Sequence, residues 1–493
     1  MIRRRTVVSH VLALGFSLSG QAFSQQPQPP APGAAAKPAP QPPKPEVPPA
    51  APPVVVAPTP APAPPPADVA PAPAPTPPPA PAPAPLPLEP APAPPADAAP
   101  PPADPEPDLP PPASNDESDD SYSWYDAIEF SAFADGYASV NYNFPKPQSG
   151  RNVLRAHDTT NGFALAWVGV NASYPADPVG ATVSLRFGPT AREIGNCFND
   201  DKSTCDANNG LQNVKQAFAS WKPGGADSFF QLDLGKFETP YGAEVSESHL
   251  NMNYTRSMLY ASQPVTHTGL RATFAVAEAF DFKLLAVNGW NNSIDNNVGK
   301  SLGAQAVFHL KGHDDNELLT AALGYLGGPE HDDTALVAGT TDQYADRGNS
   351  NTKGLRHLVD LVVNANPIER LRLVLNADYG LDHKRNDSDP AKFDSASYYG
   401  VLLGARVAIV DEFGVAARGE YFHDEAGALT NYSQYSINYV GGTLTLDYLP
   451  SDFLTIRLDG RYDWASRQVF NKDLSDTTGS QFTTTLGVVA HTN

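Results

Sequence analysis

The residues of this chain that could do chemistry are charged side chains set at every second position of otherwise apolar runs. In "RLRLVLNADYG" Arg370, Arg372, Asn376 and Asp378 alternate with Leu371, Leu373, Leu375, Ala377 and Tyr379. In "LTIRLDGRYDW" Arg457, Asp459, Arg461 and Asp463 alternate with Ile456, Leu458, Tyr462 and Trp464. A period of two is that of a β-strand, so one face of each strand collects guanidinium and carboxylate groups. The same pattern places Arg186, Arg271, Arg406 and Arg418 on that face, with Asp135, Asp233, Glu420 and Asp447. Two signs in near balance on one surface either bridge neighbouring strands or filter ions along a wetted passage.

A second group lies between two such runs, in residues 238–266. Glu238, Glu244 and Glu247 are followed by His249, Arg256 and, just beyond, His267. The segment is long enough to fold across an enclosed space and narrow it, where its carboxylates would favour cations. The other reading is a loop capping a rim in solvent.

Other constellations point to less. "GHDD" at 312–315, "EHDD" at 330–333 and "FHDE" at 422–425 set His beside acids, as a calcium loop or a hydrolase would. They share no spacing to a nucleophile and sit where turns are expected, so neither catalysis nor a metal or other cofactor is expected. Cys197 and Cys205, in "CFNDDKSTC", read as a short disulfide loop of an exported chain, with too few soft ligands for zinc. No Gly-rich phosphate loop stands beside a strand–helix unit.

Three segments must position these groups. Residues 1–24 carry Arg3, Arg4 and Arg5, the run "VVSHVLALGFSLSG" and small residues Ala22 and Ser24, which is the form of a signal peptide. Residues 25–120 form a disordered Pro/Ala-rich linker, expected in the periplasm; 27–112 hold 41 of the 53 prolines. As polyproline II its 86 residues would reach roughly 270 Å. Residues 121–493 carry the structure. Beyond residue 112 there remain 28 basic against 47 acidic residues, which argues against nucleic acid.

Alternation places sixteen strands near 129–143, 162–174, 180–188, 213–222, 228–237, 268–278, 280–290, 301–310, 317–326, 355–365, 368–380, 397–410, 413–423, 436–448, 453–464 and 481–491. Tight joints such as "PGGAD", "NP" and "LPSD" alternate with long polar ones. Apolar faces often end in Tyr174, Trp221, Trp290, Tyr379, Tyr448 or Trp464, as an aromatic girdle would. The expected fold is all-β: a transmembrane antiparallel β-barrel of about sixteen strands in the lipid of an outer membrane. Greasy side chains face hydrocarbon and charged ones face enclosed water. Trp290 then belongs at headgroup level, half in lipid, with "NNSIDNN" turning in water beyond it.

"LGKFETPYGAEV", "NMNYTRSML", "QPVTHTGLR", "VNGWNNSIDNN" and "KSLGAQ" follow one another in that order. The set resembles the OmpL-like beta-barrel porin family of the Gram-negative outer membrane, over most of 120–493 and most sharply in 214–305. The resemblance implies passive diffusion of small hydrophilic solutes or ions, and a homotrimer is among the assemblies such porins form. An outer-membrane anchor, its Pro-rich arm contacting peptidoglycan or a periplasmic partner, is the alternative. One departure stands out: such barrels usually end on an aromatic residue, and this chain ends "GVVAHTN".

Overall fold

Side-chain alternation decides which way each strand faces, and exposure shows the outcome. Along 454–465, Arg457, Asp459, Arg461 and Asp463 are at most 4% exposed, whereas Leu458 is 40% and Trp464 42% exposed. Charge is inside and grease outside, the inverse of a water-soluble core. The structure is a computed structural model. It describes residues 124–146, 155–156, 161–195, 211–295, 297, 299–312, 316–330, 354–385, 393–429, 435–473 and 476–492. The expected signal peptide, the Pro-rich linker, Cys197 and Cys205 lie outside the described residues.

Among the described residues eighteen strands follow in order. They are β1 (Glu129–Asn141), β2 (Gly162–Tyr174), β3 (Val179–Phe187), β4 (Val214–Trp221), β5 (Phe230–Glu238), β6 (Thr266–Ala277), β7 (Phe280–Val287), β8 (Ser301–Lys311) and β9 (Glu317–Pro329). Then come β10 (Leu355–Ile368), β11 (Leu371–Arg385), β12 (Phe393–Ala408), β13 (Phe413–Asp424), β14 (Ile437–Ser451), β15 (Leu454–Ala465), β16 (Phe470–Lys472), β17 (Asp476–Thr478) and β18 (Ser480–His491). Each of β1 to β14 pairs antiparallel with the next, and β18 closes the ring between β15 and β1. The closed barrel has sixteen strands, and β16 and β17 form a separate small hairpin. Strands stand where alternation placed them, with ends moved by a few residues. The β16–β17 hairpin was not foreseen, because three-residue strands carry too few alternations to read.

The outer surface has no aqueous explanation. Phe163, Leu234, Leu302, Leu323, Leu403, Leu444 and Leu446 are each more than half exposed. A continuous apolar band of this kind fits lipid. Among the described residues no helix is long and apolar enough to cross a membrane, and the strands do the crossing. Register is held by the same pattern. A one-residue slip of β15 would turn Arg457 and Arg461 to hydrocarbon, at about 2–4 kcal/mol each near the midplane.

The girdle is real at Trp221, Tyr379, Tyr448 and Trp464, all well exposed on the outer face, whereas Tyr174 is half-buried. Trp290 corrects the expectation. It is only 5% exposed and lies inside, with the Arg356 guanidinium 5.0 Å from its ring centroid. Strand β7 ends at Val287, and positive φ at Gly289 and Asn291 breaks the alternation before and after the Trp. The amides beside it are not merely solvated turn residues. Asn291 Oδ1 accepts the Val265 and Thr266 amides at 2.7 and 3.1 Å.

The interior also departs from a simple watery space. Leu285, Val287, Leu326, Leu358, Tyr398, Leu402, Phe422 and Tyr439 are buried in one apolar cluster with Phe237, Tyr241, Met258 and Leu259. The wall members occupy inward positions, mostly toward the long-loop end of their strands. Strand alternation reports which face is apolar outside, but not what fills the inside.

Candidate functional site

The segment between β5 and β6, residues 239–265, lies within the barrel. It has no strand to pair with, so its buried amides and carbonyls need partners from elsewhere. The wall supplies them by sign. Asp459 of β15 accepts the Thr255 amide at 2.8 Å and the Tyr254 amide at 3.3 Å. Glu420 of β13 accepts Met258 N at 2.5 Å, Asp360 of β10 accepts Gly242 N at 3.2 Å, and Asn376 of β11 accepts Ala243 N at 3.1 Å. Arginines take the carbonyls: Arg457 donates to Ser248 O, Arg461 to Arg256 O and Arg418 to Thr255 O, each at 2.5 Å.

Side chains add to the grip. Asp135 accepts the Tyr254 hydroxyl at 2.7 Å and also the Ser248 hydroxyl. Gln263 donates to Asp378 at 2.6 Å, and Tyr241 to Tyr325 O of β9 at 2.8 Å. Wall glycines make room: a Cβ at Gly324 would lie 2.6 Å from the Tyr241 ring, and one at Gly487 would overlap Tyr254.

The three loop-region carboxylates are neutralised by wall cations. Glu247 lies 2.7 Å from Arg186 and 2.6 Å from Lys215, and Glu244 lies 2.6 Å from Arg418. Glu238 also pairs with Lys215. Burial pushes the Glu247 carboxyl up, but Lys215 and Arg186 outweigh burial and hold it well below the usual range. Arg256 is buried and turns back on its own loop, donating to Tyr254 O at 2.9 Å and to Ser246 O. His249 stacks on His491 with ring centroids 4.6 Å apart; burial first, then His491, pulls its pKa down to about 3. His267 joins Thr239 Oγ1 at 3.0 Å and Gly289 O at 2.9 Å.

Of the remaining arginines expected on the wall, Arg271, Arg406, Arg457 and Arg461 pair with wall acids, whereas Arg370 and Arg372 do not. Arg271 lies 2.8 Å from Asp233, Arg461 is 2.7 Å from Asp463, and Asp447 takes Arg406 at 2.7 Å through Nε and Arg457 at 3.0 Å. Arg370 stands on the rim, not the inner wall, because β11 begins at Leu371 and Arg370 belongs to the preceding turn. It donates to Ile409 O at 2.7 Å and sits 3.6 Å from Asp411. Arg372 faces a cavity of about 70 Å³ under the loop, lined also by Glu244, Asn251, Asn253, Asn364, Asn366 and Arg418. At the other rim Glu330 accepts Trp290 N at 2.8 Å and the Ser301 hydroxyl at 2.6 Å, and burial pushes it up to about 7.

A family model described as "Putative beta-barrel porin-2, OmpL-like" matches residues 127–491. The chain belongs to that family. It is an outer-membrane porin channel, built on the closed sixteen-strand barrel described above. No curated protein matches the sequence. Solved structures similar to this porin include OmpT of Vibrio cholerae, at 12% identity and TM-score 0.44, over 74% of this chain and 97% of that one. The outer membrane channel DcaP of Acinetobacter baumannii matches at 10% identity and TM-score 0.47, over 74% and 97%. OprB of Pseudomonas putida matches at 12% and 0.44, over 74% and 94%. At these scores the likenesses say nothing about solute or selectivity.

Several groups that hold the porin's loop were not foreseen. Lys215, Asp360, Gln263 and Tyr241 gave no signal, since a lone polar residue in a strand or loop marks no partner. Arg155, from the first long connection, reaches Asp463 at 3.0 Å. Of the His–acid triples, most of "GHDD" and "EHDD" lies outside the described residues. In "FHDE", His423 joins Asn438 at 2.7 Å and Glu425 accepts the Ser397 hydroxyl at 2.6 Å. Among the described residues no group of three His, Cys, Asp or Glu could hold a metal ion.

Proposed function

We propose that this porin passes small hydrophilic solutes or ions by passive diffusion along a water-filled path narrowed by residues 239–265. The observation that carries the reading is the cavity of about 70 Å³, with charged and amide side chains in its lining, between that segment and the wall of β10–β13, inside a closed ring whose outer face is greasy. Sixteen strands enclose more space than their own side chains fill, whereas eight do not. Residues bordering this path include Glu244, Arg372 and Arg418, with Asn364 and Asn366 beside them. Glu238, Glu247, Arg186 and Arg256 shape the path by fixing the segment that narrows it.

Purified protein inserted in planar bilayers should give stepwise, ohmic conductance in potassium chloride. Folded barrels, recognised by their heat-modifiable mobility on gels, that never conduct would overturn the reading.

A further inference from the structure

The charge of the cavity under the loop does not balance. Two guanidiniums, those of Arg372 and Arg418, line it with one carboxylate, Glu244, and Asp447, outside the lining, is shared between Arg406 and Arg457. Arg372 on β11 stands directly across from Arg406 on β12, a like-charge cross-strand pair that disfavours the empty wall. Glu244, the acid in the cavity lining, is occupied by Arg418 and by the Ser257 amide, each at 2.6 Å. Among the described residues the Arg372 side chain makes no hydrogen bond or ion pair, and the neighbouring Asn364 side chain makes none either. Both line the cavity.

We propose that Arg372, with Asn364 beside it, forms a binding subsite for small carboxylates, and that the porin is anion-preferring as a result. An arginine fork matches a carboxylate with two parallel hydrogen bonds, and an amide can serve a second oxygen or a hydroxyl of the same solute. Bound there, an anion supplies the partner that the wall withholds from Arg372 and relieves its repulsion with Arg406. The cation preference expected from Glu238, Glu244 and Glu247 gives way, because all three are spent on Lys215, Arg418 and Arg186.

The selectivity half of this proposal rests on the diffusion reading; the binding half does not. Reversal potentials across bilayers in a potassium chloride gradient should show chloride preferred over potassium, with the preference lost in Arg372→Ala and reversed in Arg372→Glu. Succinate should block chloride current in the wild type and not in Arg372→Ala. Separately, calorimetry on folded protein in detergent should show succinate binding that weakens about tenfold in Arg372→Ala and less in Asn364→Ala. Arg372 holds no other residue, so its variants should keep the wild-type heat-modifiable mobility. A conducting channel that prefers potassium, or whose selectivity ignores Arg372, overturns the proposal and leaves the diffusion reading standing. Absence of all conductance overturns the diffusion reading and the selectivity claim, and calorimetry then decides the subsite: unaltered or absent succinate binding sinks it.

Discussion

Two stretches of the inner wall carry the same kinds of side chain and use them differently. On β13, β15 and β1, Glu420, Asp459 and Asp135 accept donors from the 239–265 segment, while Arg418, Arg457 and Arg461 donate to its carbonyls. On β10 and β11 near the short turns, Arg372 and Asn364 line open space. Alternation produced both stretches. Their fates diverge because a buried segment without strand partners must draw its hydrogen bonds from the wall, and it reaches only part of the wall. Inward charge is therefore no measure of selectivity. What counts is the charge left after the segment's backbone has been satisfied.

The comparison breaks most decisively at Glu247. Replacing it by Ala strands Arg186 as a buried cation and leaves Lys215 with Glu238 alone, a change that should cost about 3–5 kcal/mol. The midpoint of urea unfolding, followed by loss of the heat-modified gel mobility, should fall steeply; an unchanged midpoint would show that water reaches this pair. Next is Asp459→Ala, which leaves the Tyr254 and Thr255 amides without their acceptor at about 1–3 kcal/mol each. The barrel should survive and its single-channel current should become noisier, since the segment is held at one point fewer. A quiet current of wild-type size would mean that Asp459 is not a tether.

A smaller effect comes from His249, whose pKa lies near 3 inside the barrel against an ordinary 6.5. Above pH 6.5 the imidazole is neutral folded and unfolded, and contributes no pH dependence. As pH falls from 6.5 toward 3 the unfolded chain takes a proton that the folded one refuses, so stability is lost across that window. His249→Asn should flatten the slope of stability against pH there and leave it alone above 7; an identical slope would place His249 in water. The smallest effect belongs to Arg370→Ala, which should shift stability by less than about 0.5 kcal/mol and leave conductance unchanged. A clear change in conductance would return Arg370 to the path.

Much of the architecture was legible because a barrel wall writes the same rule at every step. Leu458, Tyr462 and Trp464 face lipid and Arg457, Asp459 and Arg461 do not, and no distant residue is needed to know it. The rule lapses where the chain leaves the sheet. Trp290 lies three residues beyond β7, past a glycine of positive φ, and there an aromatic is free to turn inward. Arg370 lies one residue before β11 and joins the rim. The inward position of Arg418 could be read directly, but its attachment to Glu244 and Thr255 could not.

Sequence alone determined the strand pattern, the count of sixteen barrel strands and the side of the wall on which each charge stands, because these follow from local alternation against two solvents. Only the tertiary structure decided which of those charges are spent. That depends on which parts of the inner wall residues 239–265 come to rest against, and contacts such as that of Ser248 with Arg457, 209 residues apart, leave no mark in the local pattern.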